Sequence, residues 1–86
     1  MFLASKNSIE FFNYAVFKSV VLFTNAKFES SVTFAGAEFG HIADFRGIRF
    51  NGSANFRNVK FKNLVYFMAS KFDSDTDFGN ASSEAL

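Results

Sequence analysis

The chain has 86 residues, 15 of them Phe, with no Pro, Cys or Trp and a formal net charge of +1. A chain of this length buries only about 60–65% of its unfolded surface, yet the lack of cysteine excludes disulfides and a single histidine leaves a structural zinc site without ligands. The balanced charge gives no overall pull toward nucleic acid, and neither a bilayer-length apolar run of ~20 residues nor a secretory leader is evident, so the sequence reads as one soluble domain, cytoplasmic by default.

Residues 1–11 carry only echoes of the regular pattern: the stretch FLASK at 2–6 resembles FMASK at 67–71, but register is lost before Phe11 and Phe12. An irregular N-terminal half-coil or cap is expected there. From Phe12 onward, Phe falls at 12, 17, 23, 28, 34, 39, 45, 50, 56, 61, 67, 72 and 78, with gaps alternating between 5 and 6. The blocks FNYAVFKSVVL, FTNAKFESSVT, FAGAEFGHIAD, FRGIRFNGSAN, FRNVKFKNLVY, FMASKFDSDTD and a shortened FGNASSEAL make an 11-residue repeat. A fixed period of this kind governs the fold before any local propensity does.

A helix with this repeat would carry Phe on two stripes about 140° apart and take Gly or Asn into nearly every turn, against helix propensity. Short strands fit better. Two residues before most Phe stands a small or β-branched residue, as in Ala26/Phe28, Val32/Phe34, Ala37/Phe39 and Ala43/Phe45, and a period of two points both to one side. The residue between them is mostly polar (Lys27, Glu38, Asp44, Arg49), as an outward position requires. Two residues after Phe come Asn, Gly or Ser (Asn25, Gly36, Gly47, Gly52, Asn58), which tolerate tight or left-handed backbone. Each unit is therefore a very short strand followed by a corner.

Small-polar-Phe-polar-Gly/Asn units iterated in this way resemble the pentapeptide-repeat family, and the alternating spacing is similar to its Phe-centred subgroup. The resemblance covers residues 12–81 and implies an all-β fold, a right-handed quadrilateral parallel β-helix with centre residues stacked inside and four units per coil. The extra residue in every second unit departs from the plain pentapeptide pattern. It predicts a coil of roughly 22 residues, three to four coils in all, with a bulge at two opposite corners. Columns read at that period sort the chemistry: the inserted residue is Val20, Ile42 or Leu64 at one corner and Ser31, Ser53 or Asp75 at the other. Residues 82–86 are expected to form a C-terminal tail too short to cover the end of the stack.

Catalysis finds little support. His41 stands at a corner where other units have Ser, Gly or Asn, and reads as a solvated turn residue. Asp73, Asp75 and Asp77 lack the downstream Gly and Glu of a calcium loop. No catalytic, cofactor or metal residues are expected. Some family members inhibit type II topoisomerases by imitating the charge of duplex DNA, but a chain at +1 with a basic middle is a poor imitation. A basic column of Lys27, Arg49 and Lys71 offers an alternative anion-binding face for nucleic acid or for such a DNA-acting enzyme. Glu29 and Asp73 lie beside it on the same strands, and no outward aromatics accompany it for base stacking. The leading expectation is a non-enzymatic structural or interaction module. It would bind a protein partner, or a second copy, through an edge of Val20, Leu22, Ile42, Leu64, Tyr66 and Met68 or through an open end, provided that the corner column faces outward.

Overall fold

The computed structural model describes residues 10–84. Fourteen two-residue strands, with no helix among the described residues, wind into a square coil and pair only with their counterparts one coil away. The first sheet comprises β1 (Glu10–Phe11), β5 (Val32–Thr33), β9 (Ala54–Asn55) and β13 (Thr76–Asp77). The second holds β2 (Val16–Phe17), β6 (Glu38–Phe39), β10 (Lys60–Phe61) and β14 (Ser82–Ser83). The third stacks β3 (Val21–Leu22), β7 (Ala43–Asp44) and β11 (Val65–Tyr66), and the fourth β4 (Lys27–Phe28), β8 (Arg49–Phe50) and β12 (Lys71–Phe72). All pairs are parallel. Partners such as Val16 and Glu38, or Lys27 and Arg49, stand one 22-residue coil apart, as the inserted residues predict. The segment expected to be irregular, 1–11, lies mostly outside the described residues; its last two form β1 and already keep this register with β5.

The interior is built by the phenylalanines. Within each of four columns the rings stack near-parallel, with centroids 4.7–5.5 Å apart, a spacing imposed by the ~4.8 Å step between strands. Columns also meet edge to face across the interior, Phe45 lying 5.9 Å from both Phe34 and Phe56 at 82° and 88°, while rings joined by a tight turn, such as Phe34 and Phe39, are tilted at 48°. The stacked and edge-to-face arrangements both suit the ring quadrupole, at about 0.5–1.5 kcal/mol per pair beyond burial. The residues two before Phe fill the remaining space: Ala26, Val32, Ala37, Ala43, Ile48, Ala54 and Val59 are buried. In the last coil, polar residues take some interior positions, Thr76 succeeding Ala54. Ser70, above Ile48, donates its hydroxyl to the Phe45 carbonyl at 2.6 Å, and Ser83 succeeds Phe61. Phe72 and Phe78 end their columns partly exposed.

The corners are of two kinds, a division finer than the Asn/Gly/Ser signal announces. After Phe12, Phe23, Phe34, Phe45, Phe56, Phe67 and Phe78 the chain makes a tight turn, in which the Phe carbonyl accepts the amide three residues on, as in Ala37 to Phe34 at 2.8 Å. Its third residue takes positive φ (Asn25, Gly36, Gly47 and Asn58 among them), as a type II turn requires. The six-residue corners show no positive φ among the described residues. Gly52 therefore serves a different need there: a Cβ on it would strike the peptide joining Ser30 and Ser31 in the coil below.

Candidate interaction surface

The sheets leave four outer faces, each written by one column of outward residues. On the third sheet the column is Leu22, Asp44, Tyr66, bordered by Thr24, Arg46, Met68 on the turn side and by Val20, Ile42, Leu64 on the six-residue corner. The corner column faces outward at both ends: Val20 is 46% exposed and Leu64 39%, with Leu22 at 54% and Met68 at 64% beside them. Ile42, held between its neighbours in the stack, and Tyr66 are half-buried. All six residues named from the sequence thus share one edge.

Polar side chains finish that corner without interrupting the apolar column. His41 Nδ1 accepts the Ile42 amide at 2.9 Å, and Asn63 Oδ1 accepts the Leu64 amide at 2.8 Å. This accounts for the lone histidine as a corner cap. Among the described residues no three His, Asp or Glu side chains converge as a metal site would need.

One residue departs from expectation. Asp44 lies on the outer side of its strand, where alternation predicts exposure, yet only 4% of it reaches solvent. Arg46 closes over it, with Nε 2.9 and 3.1 Å from the two carboxylate oxygens, Nη2 2.6 Å from Oδ2 and its own amide 3.0 Å from Oδ1. Leu22 and Tyr66 flank the carboxylate along the column. The Arg46 hydrogen bonds hold the Asp44 carboxyl below the usual carboxylate range against the opposing effect of burial, and Asp44 in turn raises the Arg46 guanidinium. Alternation marks Asp44 only as an outward polar position; the available signal for its burial is the Asp-x-Arg spacing with Leu22 one coil below and Tyr66 one coil above.

The fourth sheet does stack Lys27, Arg49 and Lys71 in register. Its charge is largely answered within the same face: Lys27 meets Glu29 at 3.2 Å and Arg49 meets Asp73 at 3.0 Å. Lys62 and Glu38, 3.5 Å apart, pair across coils on the second face. Asp77, on the first face, is held below the usual range by the Gly79 amide and then by Arg57.

Parallel two-residue strands, a 22-residue coil and stacked central phenylalanines define a quadrilateral β-solenoid of the repeat class. The family model for pentapeptide repeats matches nine copies across residues 12–60, and the chain belongs to that family. No curated protein and no solved structure matches it. No helix of the described residues is long and apolar enough to cross a membrane.

Proposed function

We propose that this solenoid is a non-catalytic interaction module that docks a protein partner, or a second copy of itself, through the edge formed by Val20, Leu22, Ile42, Leu64, Tyr66 and Met68. The observation that carries the reading is the register of that edge. Four of its apolar side chains are well exposed on one face, whereas the opposite corner is Ser31, Ser53 and Asp75. Contiguous exposed apolar surface of this kind marks an association site. The mechanism is rigid display: a stacked coil orders few groups on docking, so little of the contact energy is lost to entropy.

The alternative, binding of nucleic acid or of a DNA-acting enzyme such as a type II topoisomerase, is favoured by the register of Lys27, Arg49 and Lys71 and weakened by their acidic neighbours. The two readings part on one experiment. A photoreactive amino acid placed at Leu22 is expected to cross-link to the partner or to a second copy, and one at Ser53 is not. The cross-link should persist from low to high salt and disappear in Leu64→Asp. Equal yields from the two positions, or loss of the complex with salt, would overturn the apolar-edge reading.

A further inference from the structure

The apolar edge has a charged centre, and its geometry specifies more about the partner than hydrophobicity does. Arg46 is half exposed, but its guanidinium is not free to wander: Asp44 grips the Nε and Nη2 side, and the guanidinium carbon sits 5.5 Å from the centroid of the Tyr66 ring. A guanidinium carries five N–H donors in a planar fork. Asp44 occupies the side edge, so the end-on edge, made of one hydrogen from each Nη, is left open; no described residue accepts a hydrogen bond from Nη1.

Docking on Leu22, Leu64 and Met68 would strip water from that edge. The guanidinium charge is answered by Asp44, but its remaining N–H groups would be desolvated at a cost if covered without an acceptor, so a partner that brings an acceptor to this point is favoured. A carboxylate is the group whose two oxygens match the end-on fork. The other two paired arginines, Arg49 and Arg57, make a contrast, and Arg57 meets Asp77 at 3.2 Å with both side chains about half exposed. Arg49 meets Asp73 with both side chains substantially exposed, an arrangement that water and salt disrupt, whereas Arg46 is fixed by a nearly buried carboxylate. Arginine and tyrosine at the centre of an apolar surround also form the composition on which binding energy concentrates.

From this constellation we infer that Arg46 is a preorganised anchor for a carboxylate side chain on the docking protein, flanked there by aliphatic residues that cover Leu22 and Met68. The inference rests on the apolar edge being the docking surface. Its test uses the whole chain, labelled with nitrogen-15 and titrated with capped Leu-Glu-Leu tripeptide and, separately, with capped Leu-Gln-Leu. The Glu peptide is expected to move the Arg46 Nε–H resonance and the amides of Leu22, Asp44 and Met68, and to bind about threefold more tightly than the Gln peptide, the scale of a partly exposed ion pair. Arg46→Lys keeps a cation beside Asp44 but lacks the fork, and should erase the preference while leaving the spectrum folded. Equal binding of both peptides on this face overturns the carboxylate anchor and leaves the docking edge standing. Shifts absent from this face with either peptide overturn both.

Discussion

At the corner between the second and third sheets the extra residue is Val20, Ile42 or Leu64; at the corner diagonally opposite it is Ser31, Ser53 or Asp75. The backbone task is the same at both. The carbonyls of Ile42 and Leu64 accept the amides of Val21 and Ala43 one coil below, at 3.0 Å each, and those of Ser53 and Asp75 accept Val32 and Ala54, at 2.9 Å each. Serine and aspartate thus meet every requirement that the coil places on this position. On the proposed reading the apolar residues opposite are surplus to the fold, and their exposure serves a surface outside it.

If that distinction is sound, energy should be concentrated beneath the corners and not at them. The steepest effect belongs to Phe45, fully buried, stacked between Phe23 and Phe67 at 5.2 and 5.1 Å and edge-on to Phe34, Phe39 and Phe56. Phe45→Ala should cost about 3–5 kcal/mol, a large part of what a domain of this size possesses. Urea denaturation of the variant would measure it. A loss below about 1 kcal/mol would mean that the ladder is not the source of stability, and the contrast between core and corner would fail.

The ladder and the coil length were legible in the sequence because each follows from spacing alone: Phe at 5 and 6 fixes the rungs, and period 22 fixes which residues stack, though not which way the corner column faces. The two kinds of corner were less legible, since Gly47 and Gly52 look alike in the repeat although one supplies positive φ and the other makes room for a neighbouring peptide. Least legible was Asp44, whose burial depends on Arg46 folding back over it, a side-chain event that periodicity does not encode. That pair yields the next largest effect. Asp44→Asn should lower stability by about 1–2 kcal/mol at neutral pH, allowing for the half-exposed arginine. Because the folded-state pKa of Asp44 lies below its unfolded value, near 3.8, the native protein binds this proton less readily than the unfolded chain. The contribution is complete above about pH 5 and is lost as pH falls through the folded value. The variant's acid limb should be correspondingly flatter in a pH series of denaturation midpoints; since Asp77 titrates in both proteins, the difference isolates Asp44. Parallel acid limbs would show that the closed ion pair does not persist in solution.

The smallest effect is the most discriminating, because it exchanges the corners directly. Ser53→Val places an apolar residue where the fold already accepts a hydroxyl, and Leu64→Ser does the reverse on the opposite edge. Both side chains are exposed in their stacks, and both carbonyls keep their bonds to the coil below whatever the side chain. Each substitution should therefore change stability by no more than about 0.5 kcal/mol, the range of surface replacements. Only Leu64→Ser should diminish association through the third sheet, read as the yield of the cross-link from position 22. Should Leu64→Ser destabilise the chain by about 2 kcal/mol or more while Ser53→Val does not, the apolar corner belongs to the core after all. Its leucine would then be answering the fold, and the surface argument would have to move to Leu22 and Met68 alone.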